Sequence, residues 1–296
     1  METKFIPPES KQQHHFKAFI ELLVKQFTPL YIYEFAQLVQ VDRVNSVFYS
    51  ALRQEHYLYC LLVITPGSGG VASQIQAYAD RHFTGAKVIV HAHAQDALLK
   101  PADPNRGYFA AVFNRGLLCY HAAGAPPVVA VKALHSKKWL GRAIVHWRNH
   151  HQMANGFLRA ARQAVANGQH RLCLFLLHLA VAEACGGLIY VFMAYQTETT
   201  NLKHLLYTCA CFSKRPLQYF LGTAENELLL KVLMRSDNSA IGEADFGLAD
   251  KPADCFLTLV AGFLPLANQM CKAHFAALQL DVNAAKAGRK EGRNHG

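Results

Sequence analysis

Tyr57-Leu58-Tyr59-Cys60-Leu61-Leu62-Val63-Ile64-Thr65 is the stretch on which the fold turns. Nine residues with no charge, rich in aromatic and β-branched side chains, read as a strand. The run stops at Thr65-Pro66-Gly67-Ser68-Gly69-Gly70, a cluster of turn formers. Helical spacing follows over 71–82, and a third extended segment over 86–91. This alternation of strand and helix fits a small mixed α/β domain.

Working outward, Phe16, Phe19, Ile20, Leu23, Val24 and Phe27 recur at helical spacing over 11–27, ahead of Pro29. A strand is expected at 30–35, separated from 57–64 by the polar stretches 40–45 and 51–55. Beyond these come a loop at 98–107, a helical or extended piece at 108–113, and a short edge strand at 116–120. The domain ends near Ala125-Pro126-Pro127. After 134 every periodic segment is helical, with helices expected at 138–167, 169–195, 201–212, 216–235 and 252–280, a break at Gly168 and a loop at 236–250. The fold class is therefore α+β with two domains: a small mixed α/β domain over 1–130, an all-α bundle over 131–282, and a basic disordered tail over 283–296.

Composition narrows the function classes. The chain has 296 residues, 52% hydrophobic and 17% charged, which excludes a disordered chain. Thirty Lys and Arg against 20 Asp and Glu give a formal charge of +10, compatible with a polyanionic partner such as RNA, DNA or nucleotide phosphate. Eight cysteines sit mostly in apolar runs without a Cys-x-x-Cys pair, as reduced core thiols of a cytoplasmic protein do. Residues 1–13 lack the apolar core of a signal peptide. The apolar run 172–195 is long enough to cross a bilayer, but Glu183 and the Gly186-Gly187 pair at its middle favour a buried bundle helix, so no membrane partner is expected.

Several residue groups invite chemical readings. His146, His150 and His151 fall on one expected helix without a third metal ligand at matching spacing. His91 and His93 share one strand face. Gly67-Ser68-Gly69-Gly70 stands between a strand and a helix, but lacks the continuation of a phosphate loop. No metal site and no cofactor motif follows from these.

Taken together, Ile32-Tyr33-Glu34-Phe35, Tyr59-Cys60-Leu61-Leu62-Val63-Ile64-Thr65, Phe175-Leu176-Leu177-His178-Leu179-Ala180-Val181-Ala182-Glu183-Ala184 and Thr200-Asn201-Leu202-Lys203-His204-Leu205-Leu206 carry a resemblance. The chain resembles the two-domain proteins that join a nucleotidyltransferase-like domain to a HEPN domain, a helical bundle. The resemblance covers about residues 12–280.

The resemblance implies an active site that this chain lacks. The family's Gly-Ser phosphate turn falls on Ala36-Gln37, its two metal-binding acids on Leu58 and Cys60, and its third acid near Val90 or His91. Neither leucine nor a thiol supplies the hard oxygen ligation that two-metal nucleotidyl transfer requires. HEPN ribonucleases use an Arg, four to six spacers and a His. The spacing occurs at Arg115/His121, Arg171/His178 and Arg289/His295, and Arg235 is the arginine nearest the family's usual place. The expected function is thus a non-catalytic nucleotide- or nucleic-acid-binding protein, with Ala36, Gln37, Cys60, His91 and His93 as ligand-binding candidates. It would pair as a homodimer through its bundle. The alternatives are a metal-independent ribonuclease using Arg171, His178 or Arg235, and a protein-interaction scaffold. If the chain is an enzyme, ribonuclease chemistry is expected over nucleotidyl transfer.

Overall fold

The computed structural model describes residues 11–46, 49–67, 71–99, 104–127, 136–236 and 252–291. The chain divides into two compact units, Met1–Lys132 and Ala133–Gly296. The layout is α+β: a four-stranded sheet with helices in the first unit, and helices alone among the described residues of the second.

In the first unit, α1 (Lys11–Phe27) is followed by β1 (Tyr31–Ser46), β2 (Tyr49–Thr65), α2 (Val71–His82), β3 (Lys87–Ala94), α3 (Gln95–Leu99), α4 (Arg106–Arg115) and β4 (Leu117–His121). The sheet order is β3-β2-β1-β4. β2 pairs antiparallel with β1 and parallel with β3, the latter through the α2 crossover, and β4 is an antiparallel edge beside β1. The uncharged run of β2 lies inside the sheet because both of its faces are covered. Tyr59, Leu61 and Val63 point to one side with Ile32, Val88 and Val90, and α1 and α2 cover them with Phe16, Phe19, Ile20, Leu23, Ile75 and Ala79. Phe16 stacks on Tyr59 with ring centroids 4.1 Å apart. Each such buried side chain contributes about 1.5–3 kcal/mol.

One expectation is corrected here. The polar stretches 40–45 and 51–55 are not a connection between short strands. They extend the β1–β2 ladder, paired from Tyr31↔Ile64 out to Ser46↔Tyr49. β4 meets β1 only at Tyr31–Glu34, and β3 meets β2 only from Leu58 onward. The hairpin therefore continues beyond the four-stranded part as a two-stranded ribbon, whose alternation is too polar to register as a buried strand. The region expected to be a loop at 98–107 also carries the end of α3 and the start of α4.

The second unit consists of α5 (Ser136–Ala166), α6 (His170–Met193), α7 (Leu202–Ala210), α8 (Arg215–Leu221), α9 (Ala224–Arg235) and α10 (Ala253–Glu291). Gly168 closes α5 at φ +72°, with Gln169 N–H donating to Ala164 and Gly168 N–H to Val165. This is a Schellman cap, and glycine takes the left-handed position without strain. α6 lies so close to α5 that a Cβ on Gly187 would come within 2.9 Å of both His150 Cβ and the Trp147 ring. The Trp147 indole N–H donates to Asn268 at 3.1 Å and ties α5 to α10.

Two further corrections concern this unit. The single helix expected at 216–235 is two, because Thr223 takes an extended conformation and its side chain accepts from Asn226 N–H, capping α9 afresh. The segment expected to be a disordered tail from 283 is helical through Glu291, since Ala, Lys and Arg sustain a helix without an apolar face. Residues 292–296 lie outside the described residues, as does the expected loop at 237–250. A second long apolar helix also exists: 170–193 and 253–283 are both long and apolar enough to cross a bilayer by length and composition. Within the fold, 67% and 44% of their most apolar windows are buried, which is how the core helices of a bundle accommodate such sequences.

Candidate functional site

On β1, β2 and β3 the residues aligned with a nucleotidyltransferase active site do not form one. Cys60 is fully buried and Leu58 is 7% exposed. They face the side of the sheet opposite α1, where α4 lies. A register shift between Glu34 and Ala36 leaves Phe35 out of the ladder, and its ring packs on His91 at 5.0 Å and against Tyr108 at 5.6 Å. His91 is 2% exposed, and its Nδ1 lies 2.9 Å from the Tyr108 hydroxyl. His93 is half-buried, with its ring edge-on to Phe109 at 5.1 Å. An aromatic layer thus occupies the face where the family would hold metal.

The candidates are also divided between the two faces. Ala36 pairs with Cys60, Leu62 with His91 and Ile64 with His93, so Ala36, Cys60, His91 and His93 share the α4 side. Gln37 pairs with Tyr59 and shares the α1 side. Glu34 is on that side too, and burial raises its carboxyl above the usual range. No group of three or more His, Cys, Asp or Glu close enough to hold a metal exists among the described residues.

In the bundle, His178 is 1% exposed. Its Nδ1 lies 2.9 Å from the Leu233 carbonyl oxygen and its Nε2 3.0 Å from that of Thr200. Each ring nitrogen thus has a backbone carbonyl within reach, and a neutral imidazole donates its single N–H to one of them. Arg171 is exposed in the first turn of α6, and Arg235 is exposed at the end of α9.

Two features stand out instead on α5. The first is a half-buried seam against α6. His146 stacks on Tyr190 at 3.6 Å, His150 lies 4.3 Å from His146, and His150 Nδ1 sits 2.6 Å from Glu183 Oε2. Burial, and then the neighbouring His150, push the His146 pKa down to about 4, with Glu183 opposing. Burial lowers His151 and His274 as well.

A sign follows from this seam. The unfolded chain binds a proton near pH 6.5 that the folded His146 refuses until about pH 4. Stability is therefore fully present above about pH 6.5 and falls as pH drops through that window. A shift of this size corresponds to about 3 kcal/mol, which solvent at the half-open seam reduces to about 1–2 kcal/mol. Urea midpoints measured between pH 7 and pH 4.5 should fall more steeply for the native chain than for His146→Gln. Equal slopes would remove His146 as the cause.

The second feature is the solvent face of α5. Residues 104–182 carry ten Lys and Arg and no Asp or Glu, a signal legible in the sequence as an absence. Lys137, Lys138, Arg142, Arg148, Arg159 and Arg162 are all exposed on this one 31-residue helix. None is ion-paired to a carboxylate among the described residues. Lys272 of α10 adds its charge close to His151 on the flank of the same helix. The arrangement disfavours the helix itself. Lys137 and Lys138 stand in a first turn with no acidic residue, against the positive end of the helix dipole, each at a cost of about 0.3–1 kcal/mol. Chemically, it is a surface that attracts phosphate.

No protein-family model matches this chain, and no curated protein shows significant similarity to it.

Proposed function

We propose that this chain is a non-catalytic binding protein for nucleotide or nucleic acid, of the type that joins a degenerate nucleotidyltransferase-like domain to a HEPN-like bundle. The observation that carries the reading is the acid-free span displayed on α5 as six exposed Lys and Arg. A charge set that weakens its own helix and is not offset by acidic neighbours is accounted for by an anionic partner. The burial of Leu58 and Cys60 beneath an aromatic layer supports binding without metal-assisted transfer. The ribonuclease reading has less support, since His178 directs both nitrogens at backbone carbonyls within the core. Pairing of two copies through the bundle belongs to the same proposal and is supported by the exposed Leu172 and Phe175 on α6.

Fluorescence anisotropy of a labelled single-stranded RNA at low and at physiological salt tests the reading. The expected result is binding that weakens as salt rises, with a logarithmic slope of about −0.7 for each phosphate neutralised. Absence of binding at low salt, to RNA and to nucleotide alike, overturns it.

A further inference from the structure

The spacing of the charges on α5 narrows the class of ligand, on the premise that the nucleic-acid reading above holds. Lys137, Arg148 and Arg159 recur at intervals of eleven residues. At 3.6 residues per turn, eleven residues overshoot three full turns by only about 20°, so the three project from nearly one line along the helix. Each interval spans about 16 Å and the set about 33 Å, at 1.5 Å rise per residue. A phosphate is gripped by a cation within about 4 Å, so no two of these residues can hold the same phosphate. Arg162 stands one turn beyond Arg159, and Lys138 and Arg142 widen the line at its other end. Of the exposed positions between, Gln152 offers an amide donor, and Gly141 leaves open space where a side chain would stand. Trp139 lies half a turn round the helix from Arg148 and is half-buried against Tyr190.

We infer that α5 binds an extended polynucleotide strand along its length, through the phosphate backbone and without base selection. At the 3.4 Å rise of a base-stacked strand a 33 Å line matches about ten nucleotides, and a strand drawn out further matches fewer. Contacts to phosphate position a strand and carry no sequence information directly, and the face presents no aromatic platform on which bases would stack.

The test uses the full chain and labelled oligouridylates and oligoadenylates of about 3, 6, 10 and 20 nucleotides, a series bracketing the ten that the line accommodates. The expected result is affinity that climbs steeply with length and flattens at or before about ten nucleotides, with the two base compositions within about threefold of each other. Arg148→Glu with Arg159→Glu should weaken the ten-nucleotide probe at least tenfold at low salt. Arg148→Gln with Arg159→Gln should weaken it less, and circular dichroism should show both variants folded. If a mononucleotide binds as tightly as the ten-nucleotide probe, or both variants bind like the native chain, the extended-strand inference is overturned while nucleotide binding elsewhere stands. If neither probe binds at low salt, both readings fall together.

Discussion

Replacing His178 by alanine is expected to cost the helical unit about 3–5 kcal/mol, enough to abolish most of a typical domain's margin. The side chain is 1% exposed, so truncation opens a cavity in the middle of α6. The imidazole also joins three pieces of chain distant in sequence: α6 itself, the end of α9 through Leu233, and the segment before α7 through Thr200. The lost hydrogen bond adds about 0.5–1.5 kcal/mol. Leu233 keeps the Ser236 hydroxyl as a donor at 2.7 Å, so the weakening should centre on the Thr200 side. His178→Phe refills the volume without the donor and should recover only the cavity part of the loss. Thermal unfolding followed by circular dichroism measures both. A loss under about 1 kcal/mol for the alanine variant would remove His178 from its place as a tether.

The double substitution Leu58→Asp with Cys60→Asp should damage the first unit still more. Cys60 is fully buried between Ala36 and Ile89 in register, and Leu58 is nearly so. A carboxylate at 60 has only Ala36 and Ile89 in register, and one at 58 has only the solvent-exposed Lys87, so the pair must either ionise in an apolar layer or stay protonated, at a cost of several kcal/mol. The expected outcome is loss of the cooperative melt of this unit, with no recovery when magnesium is added. Recovery with magnesium would reveal a latent metal site and a closer kinship to nucleotidyltransferases than the packing of Phe35, His91 and Tyr108 supports.

What the sequence made legible follows from which residues carry periodic burial. α1 was readable to its ends because Phe16, Phe19, Ile20 and Leu23 all face the sheet. The inner half of β2 was equally clear, as was Gly168, whose left-handed conformation no other residue adopts as cheaply. The outer half of the hairpin was not, because its sequence is polar and what the fold shows of it is cross-strand pairing. The split between α8 and α9 was hidden for a different reason: Leu229, Leu230 and Leu233 continue the apolar spacing past a break fixed by the Thr223 cap alone. At the candidate site, His178 and Cys60 bear chemistry in the sequence and are packed in the fold, at 1% and 0% exposure. The signal of the α5 face is an absence of acids over 104–182, which the spacing of residues does not carry.

The two-stranded ribbon gives β1 and β2 a divided character. Near Leu61 and Val63, β2 is the spine of the unit and cannot open without the whole unit opening. A dozen residues earlier the same strand is held by one neighbour, a state that is marginal for an isolated hairpin. Local opening free energies should therefore decline along a single continuous strand, from the global value at its inner half to lower values over its outer half.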